Sequence, residues 1–364
     1  MIIKFQNFNR LYDDVKFELD ASYFETMSSG YYILGSKVKE FENNFSKFAG
    51  AKYCIGVASG LDALTIALKS LNLEKGSEVI VPANTYIATF IAIIRAGYVP
   101  VPVDADIKTL QIDANLIPNK ITEKTRVIMP VHLYYQTPDM DVINEIAKEN
   151  NLRVITDAAQ GHGAKYKGKV VGSLAEAECF SFYPTKNLGA IGDAGCITTD
   201  NDDINYNSKL LRNYGEKENY VSDLIGYNSR LDEIQAGFLN VKLKYLNKWN
   251  ERRRYIANRY LHEIHTEKIT LPEIADYATP NWYLFPVFSE GRDNIKLELQ
   301  RKGIISIIHY RVPPYLQPAL KYLNYDAESF PNSSKIANTE LSIPIDPYLS
   351  EDEISYVIDS LNNI

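Results

Sequence analysis

Short β-rich runs alternate with helical segments from about residue 53 to residue 199, and this alternation limits the fold more than any other feature of the sequence. Runs such as "YCIGVAS", "EVIVP" and "LRVITD" predict strands, whereas "GLDALTIALKSL" between two of them has leucines at helical spacing. Strands that alternate with helices build a mostly parallel sheet covered by helices on both faces. The sequence therefore predicts an α/β fold with a large three-layer domain.

The pattern changes after Asn228. Residues 229–264 keep a helical period throughout, which predicts one long amphipathic helix that connects two domains. Beyond it, "WYLFPVF", "NIKLELQRKG" and a helix after Ser350 predict a small α+β unit. A chain of 364 residues is long enough for about two domains. We predict a large domain at residues 1–246, which includes an N-terminal lead segment, and a small domain at residues 247–364.

Charge and composition exclude several classes of protein. A net charge of −7 gives no overall attraction to nucleic acid or to an anionic membrane, so a bound phosphate would need local groups. The longest apolar stretch stops at Arg95, short of the roughly 18 residues of a membrane span, and no signal peptide is recognisable. We therefore expect a cytoplasmic protein, with three free cysteines and no metal site. No GxGxxG follows an early strand, which disfavours a nicotinamide-dependent dehydrogenase.

Three stretches follow predicted strands, at the edge where open α/β sheets bind ligands. In "VASGLDA", N–H groups after Ser59 and Gly60 could hold a phosphate, although any strand-to-helix turn favours glycine. In "VITDAAQGHGA", Asp157 is either a helix N-cap or the partner of a protonated heterocycle nitrogen. In "SFYPTKNLGAIGDAG", Lys186 lies among aromatic and small residues, and its amine either extends to solvent or takes part in chemistry.

A lysine, a buried aspartate and a phosphate-binding turn are together what pyridoxal 5'-phosphate requires. Asp157 would keep the pyridine nitrogen protonated, so that the ring takes up electrons when a Cα–H proton leaves. Lys186 would hold the cofactor covalently and move that proton as a general base. Tyr86 opens the helix after "EVIVP" and is placed to cover the face of the ring. The sequence thus predicts a pyridoxal phosphate enzyme in which Lys186 and Asp157 are catalytic.

An ordered series of motifs then identifies a family. It runs from "GYYILGSKVKEFE" through "ASGLDAL", "PANTYIAT", "DAAQGHGA", "SFYPTKNLGAIGDAG" and "YNSRLDEIQAG" to "IHYRVPPYLQPA", and so spans nearly the whole chain. This series resembles the sugar-nucleotide aminotransferases of the DegT/DnrJ/StrS family, which are fold-type-I pyridoxal phosphate enzymes. No single motif is specific, but their order is.

The resemblance implies a role for each residue that matches a family motif. Lys186 would be the Schiff-base lysine, Asp157 the partner of the pyridine nitrogen, and Gln160 a neighbour of the phenolic oxygen. Tyr86 would stack on the ring. The phosphate would be held by Gly60, Asp62, Ser181 and, from the neighbouring subunit of a homodimer, Asn228. The stretches that look like nucleotide-sugar contacts contain Tyr31, Leu34, Tyr183, Arg212, Tyr214, His309 and Tyr310.

The resemblance also implies a reaction. Family members with histidine at the Schiff-base position remove a hydroxyl, so Lys186 favours transamination. The stretch "NSRLDEIQAG" is more similar to enzymes that aminate C3 of a 3-keto-6-deoxy sugar than to C4 enzymes, which often have "NYRLTDIQAA". We therefore expect transfer of an amino group from L-glutamate to a dTDP-linked 3-keto-6-deoxyhexose, for lipopolysaccharide, another glycan or a natural product. Amination at C4, dehydration, and a non-catalytic binding or regulatory subunit remain alternatives.

Position 135 departs from the family pattern. The family usually has "HLYGQ" where this chain has "HLYYQ", with Tyr135 in place of glycine. Glycine would permit an unusual backbone angle or close packing, which tyrosine does not readily allow. Tyr135 is expected either to reshape the edge of the pocket or, as the favoured interpretation, to occupy a permissive loop.

Overall fold

A seven-stranded sheet forms the centre of the protein, described here for all residues, 1–364, by a computed structural model. The strands are β1 Tyr53–Val57, β2 Glu78–Pro82, β3 Val99–Val103, β4 Thr125–Ile128, β5 Arg153–Asp157, β6 Lys165–Tyr166, β7 Lys169–Val170, β8 Ala177–Ser181, β9 Gly195–Thr199, β10 Glu216–Glu218, β11 Val221–Ser222, β12 Ala278–Thr279, β13 Phe285–Phe288 and β14 Glu340–Ile343. The central sheet has the order β1-β9-β8-β5-β4-β2-β3. Only β9 runs antiparallel to its neighbours, so the predicted mostly parallel sheet is confirmed.

Eleven α-helices cover and extend this sheet. They are α1 Phe8–Ser29, α2 Ser36–Ala49, α3 Gly60–Ser70, α4 Ile87–Ala96, α5 Met140–Glu149, α6 Asp202–Leu211, α7 Glu233–Leu243, α8 Leu246–Glu263, α9 Arg292–Arg301, α10 Pro331–Thr339 and α11 Glu351–Asn362. None of them is both long and apolar enough to cross a membrane.

Successive strand residues point to opposite faces of the sheet, and both faces are buried. On β2, Val79 packs with α3, α4 and α6, whereas Ile80 packs on the other face with α5. On β5, Ile155 packs on the same face as Val79, and Val154 packs on the same face as Ile80. Helices α2 and α7 cover the rest of the second face through Phe41, Phe45 and Leu239, among others. The predicted three-layer arrangement is therefore confirmed.

The C-terminal part of the chain has its own core of 29 buried residues. Helices α8, α9 and α11 and the pair β13–β14 supply 13 of these residues. Ile3, at the start of the chain, also packs there and pairs with Ile304. The N-terminal lead segment thus contacts the C-terminal core. The domain boundary between residues 246 and 247 stays a prediction, and it falls at the start of α8.

The prediction of a single long helix over residues 229–264 is wrong. The helical segment is divided into α7 and α8, which meet at Lys244 and Tyr245. Leu239 of α7 packs against the central sheet, whereas Ile256 and Tyr260 of α8 pack in the C-terminal core. A break between the two helices lets each one bury its apolar face in a different core. The helical period alone could not show this change of partner.

Tyr135 lies in a turn, as the favoured interpretation expected, but it is buried and is not at the edge of the pocket. Its side chain is only 1 % exposed and stacks on Trp282, with ring centroids 4.5 Å apart, while its hydroxyl donates to the Glu273 carbonyl at 2.7 Å. The unusual backbone angle belongs to Tyr134, whose φ is 64°, so position 135 does not need glycine for its backbone. Tyr135 fills the C-terminal core and does not line the large cavity described below.

Replacing Tyr135 tests this packing role. Tyr135→Ala should lower the free energy of unfolding by about 3–5 kcal/mol, because the buried ring and its stacking partner lose contact. Tyr135→Phe keeps the ring and should cost only about 1 kcal/mol. Urea unfolding at fixed protein concentration measures both. A permissive loop would instead give changes within about 0.5 kcal/mol for both variants.

Candidate active site

A cavity of about 500 Å³ opens at the carboxyl ends of the central strands. This is the edge at which open α/β sheets bind ligands. The turn after β8 and the segment before β14 complete its walls. Nine of the residues predicted from the sequence line it: Gly60, Tyr86, Asp157, Gln160, Ser181, Tyr183, Lys186, His309 and Tyr310.

One end of the cavity is formed by the start of α3. The Ser59 side chain caps this helix by accepting from the Asp62 N–H at 3.1 Å. A Cβ on Gly60 would lie 2.5 Å from the Ser181 Cβ, so only glycine allows β8 to approach the helix start. The positive end of the helix dipole and the Ser181 hydroxyl thus face the same space. This end of the cavity is suited to an anion.

Asp157 ends β5 in the floor of the cavity and is 5 % exposed. Its carboxylate accepts from the Thr89 hydroxyl at 2.9 Å and from the Ala159 N–H at 3.0 Å. Burial raises the pKa of Asp157 above its ordinary value, and the two hydrogen bonds and the Lys186 charge partly oppose that shift. Asp157 forms no salt bridge within the chain. A cation bound in the cavity would offset the desolvation of this carboxylate.

Lys186 lies in a tight turn between β8 and β9. Its N–H donates to the Tyr183 carbonyl at 2.8 Å, and its Nζ lies 4.4 Å from the centroid of the Tyr283 ring. The next residue, Asn187, is buried and donates to the Asn250 side chain and the Asn281 carbonyl. This anchor holds the turn against the rest of the chain. Lys186 itself has no carboxylate partner, so its amine is free for a ligand.

The opposite wall joins two parts of the chain. Gln160 accepts from the Tyr134 N–H at 2.5 Å and donates to the Tyr310 hydroxyl at 3.0 Å. The Tyr134 hydroxyl in turn donates to the His309 carbonyl. The rings of Tyr86 and Tyr310 lie 5.2 Å apart at an angle of 38°. Residues 309 and 310 are therefore held over the ends of the central strands by the side chains of Tyr134 and Gln160.

Two predicted residues, Asp62 and Arg212, form hydrogen bonds outside the cavity. The Asp62 carboxylate accepts from the Ser229 hydroxyl at 2.9 Å and does not line the cavity. Arg212 is 8 % exposed and donates to Glu42 and to the Gly56 carbonyl, at 2.5 and 2.8 Å. A substrate contact by Arg212 stays a prediction, and within the chain its guanidinium is paired with Glu42.

The remaining predicted residues lie on two surface connections outside the cavity. Tyr31 and Leu34 follow α1, and Tyr214 and Asn228 belong to the loop between α6 and α7. The two connections touch, since residues 33 and 232 pair as an isolated bridge. Tyr31, Tyr214 and Asn228 are exposed to solvent. Within one chain these residues form a surface and not part of the cavity wall.

Several residues of the site were missed by the sequence analysis: Thr89, Tyr134, Asn187, Asn281 and Tyr283. Thr89 had a signal, because it follows Tyr86 by three positions on a helix and so faces the same side. The other four residues had no such local signal in the sequence. Their contacts join residues far apart in the chain, such as Asn187 with Asn281 and Tyr134 with His309.

Comparisons with known proteins agree with this geometry. Residues 14–362 match the DegT/DnrJ/EryC1/StrS aminotransferase family. The dTDP-3-amino-3,6-dideoxy-alpha-D-galactopyranose transaminase of Aneurinibacillus thermoaerophilus is 46% identical over 345 residues, which cover 95% of this chain and 94% of the relative.

Two crystal structures of similar fold contain ligands. DesV of S. venezuelae, in complex with a ketimine intermediate, superposes with a TM-score of 0.97 at 38% identity, and the match covers 100% of this chain and 98% of DesV. Ntda of Bacillus subtilis, with bound cofactor PMP, has a TM-score of 0.92 at 31% identity over 100% of this chain and 85% of that one. With matches over almost its entire length, this chain belongs to the DegT/DnrJ/EryC1/StrS aminotransferase family.

Proposed function

We propose that this protein is a pyridoxal phosphate-dependent aminotransferase that acts on a nucleotide-linked keto sugar. The observation that carries the proposal is the presence of Lys186 and Asp157 in one cavity, with an anion-binding helix start at its end. A family member with a bound PMP cofactor, the amine form of pyridoxal phosphate, supports the choice of cofactor. Neither residue would be needed by a non-catalytic binding or regulatory subunit, which makes that alternative weaker.

The residues present fit the cofactor. A volume of about 500 Å³ lies within the usual range of small-ligand sites. Gly60, the start of α3 and Ser181 would hold the phosphate, and the buried Asp157 would pair with the pyridine nitrogen. When bound, pyridoxal phosphate supplies an electron-withdrawing ring that accepts charge as a Cα–H bond breaks. Tyr86 and Gln160 would contact the ring face and its phenolic oxygen.

Lys186 has two roles in this proposal. Its Nζ would bind the cofactor covalently, and would take the proton from Cα of the amino donor as a general base. The Asn187 anchor limits movement of the turn, so that Nζ stays directed into the cavity. The Tyr283 ring beneath Nζ favours the protonated amine once the proton has been taken.

The sugar would occupy the part of the cavity lined by Tyr183, His309 and Tyr310. These side chains offer hydroxyl and imidazole groups, which can hydrogen-bond to sugar oxygens. The sugar nucleotide in the name of the relative from Aneurinibacillus is a dTDP-linked 3,6-dideoxyhexose with its amino group at C3. We therefore propose C3 amination of a dTDP-linked 3-keto-6-deoxyhexose. Amination at C4 has no better support and stays the alternative.

The amino donor, the oligomeric state and the location belong to the same proposal. We propose L-glutamate as donor, a homodimer with shared active sites, and a cytoplasmic location. Asn228, Tyr31 and Tyr214 are exposed on their own chain, and Leu34 is half-buried beside them, which is where residues that serve a neighbouring subunit would lie. In this arrangement Asn228 would reach the phosphate of the partner's cofactor.

Substitution of Lys186 tests the cofactor and the reaction together. Wild-type protein incubated with pyridoxal phosphate should be yellow, and borohydride reduction should fix the cofactor on the peptide that contains Lys186. Lys186→Ala should lose this adduct and lower transamination by about 10² to 10⁴-fold, the usual contribution of a general base. Mass spectrometry and amino-group transfer from L-glutamate measure the two effects.

Lys169→Ala is the matched control, because this lysine is exposed and does not line the cavity. The control variant should keep both the adduct and the activity. A wild-type protein that stays colourless and unmodified with excess pyridoxal phosphate would refute the proposed cofactor.

The position of amination is tested by direct product analysis. The enzyme should be incubated separately with dTDP-3-keto-6-deoxyhexoses and dTDP-4-keto-6-deoxyhexoses in the presence of L-glutamate. We expect conversion of a 3-keto substrate, with the new amine located at C3 by NMR. An amine at C4 would establish the alternative, and loss of a hydroxyl without amine transfer would indicate dehydration. Replacing L-glutamate by L-alanine shows whether the donor is specific.

A further inference from the structure

His309 lines the cavity and contacts the protein interior through one ring nitrogen. Its Nδ1 lies 2.9 Å from the Ser342 hydroxyl oxygen, while its Nε2 has no hydrogen-bond partner within the chain. A neutral imidazole carries its proton on only one of these nitrogens. The partner of Nδ1 therefore decides whether Nε2 donates or accepts a hydrogen bond in the cavity.

Ser342 is connected to a buried carboxyl group. The Ser342 Oγ lies 2.5 Å from Glu340 Oε1, and Glu340 Oε2 accepts from the His309 N–H at 2.6 Å. Glu340 and Ser342 are two positions apart on β14, so both side chains point to the same face, and both are 0 % exposed. The three residues form a closed ring of hydrogen bonds behind the cavity.

The donor and acceptor roles along this hydrogen-bond chain can be arranged in two ways. If Glu340 is ionised, Ser342 donates to Oε1 and accepts from Nδ1–H, and His309 offers an unprotonated Nε2 to the cavity. If Glu340 is protonated, it donates to Ser342, which donates to Nδ1, and His309 offers an Nε2–H donor. The heavy-atom distances suit both directions.

We propose that Glu340 and Ser342 are positioning residues that set the tautomer of His309, and that the proton on Glu340 selects whether His309 donates to or accepts from the bound substrate. This inference rests on the proposed function in assigning His309 to the sugar, but the network itself does not. Neither Glu340 nor Ser342 touches the cavity, so they act only through His309.

The surroundings favour the protonated form of Glu340. Burial raises the pKa of Glu340 to about 8, although hydrogen bonds from Ser342 and from the His309 N–H and the charge of Arg292 oppose the shift. Arg292 of α9 donates to backbone carbonyls, including that of Glu340, and pairs with Asp293. The buried hydroxyl of Tyr134 is the other titratable group near Glu340. Strand β13 has none, and Lys335 on α10 is exposed.

The ring of His309 is neutral over the same pH range. Burial and, next, the nearby charge of Lys186 lower the pKa of His309 to about 4. At neutral pH the network therefore presents an Nε2–H donor to the cavity. Such a donor fits an oxygen acceptor of the substrate, such as a ring, carbonyl or phosphate oxygen, and not a hydroxyl that must donate. As the pH rises through about 8, Glu340 ionises and Nε2 becomes an acceptor.

The tautomer can be observed directly by ¹⁵N NMR of holoenzyme labelled at its five histidines. His309→Asn identifies the His309 signals. In the wild type we expect the Nε2–H form near neutral pH, with conversion to Nδ1–H as the pH rises above about 8. Glu340→Gln should keep the Nε2–H form up to about pH 10, because its amide N–H₂ always donates to Ser342. Ser342→Ala should abolish the conversion by breaking the chain.

Ser333→Ala is the matched control, since Ser333 is equally buried and also bonds a buried carboxylate, Asp104, at 2.6 Å. It should leave the His309 signals unchanged. In turnover, Ser342→Ala should raise KM for the sugar nucleotide about tenfold with a smaller effect on kcat, as expected for loss of one ordered hydrogen bond.

The NMR result needs no turnover, so a failure of the network and a failure of the proposed function are distinguishable. A His309 tautomer that is identical in wild type, Glu340→Gln and Ser342→Ala from about pH 6 to about pH 10 would overturn the inference.

Discussion

The site depends on backbone segments that approach more closely than side chains would allow. A Cβ on Gly195 would lie 2.4 Å from the Ser59 carbonyl oxygen, and one on Gly60 would lie 2.5 Å from the Ser181 Cβ. These contacts bring the ends of β1, β8 and β9 together at one edge of the sheet. The helix start that attracts an anion and the turn that carries Lys186 are neighbours for this reason. Any larger residue at either glycine would separate them.

A second constraint is the set of buried amides that joins the Lys186 turn to the rest of the chain. Asn187 donates to Asn250 of α8 and to the Asn281 carbonyl, and the Asn281 amide donates to the Gln160 carbonyl at 2.7 Å. Buried polar groups of this kind are costly unless they are paired, so they specify one arrangement of the parts that they join. The position of Lys186 is therefore fixed by α8 and the segment before β13 as well as by its own turn.

Much of this arrangement could be predicted from the sequence, because its signals are local. The alternation of β-rich runs with helical segments indicated the sheet, and the strand-end motifs indicated Gly60, Asp157 and Lys186, which the structure brings to one cavity. Residues whose role depends on distant contacts could not be placed in this way. Tyr135 lies in a loop as expected, but its packing against Trp282 was not predicted, nor was the pairing of Arg212 with Glu42. The break between α7 and α8 follows from a change of core, which a helical period does not record.

The two sides of the cavity are therefore positioned by different kinds of contact. The anion and lysine side comes from the ends of neighbouring strands of one sheet. The side proposed to bind the sugar depends on His309 and Tyr310, which Tyr134 and Gln160 hold against the cavity through hydrogen bonds. A change at Tyr134 would therefore alter the sugar side while leaving the Lys186 turn intact. Variation in such buried supports offers a physical route by which one cofactor site could serve different sugars without any change in the residues that carry out the chemistry.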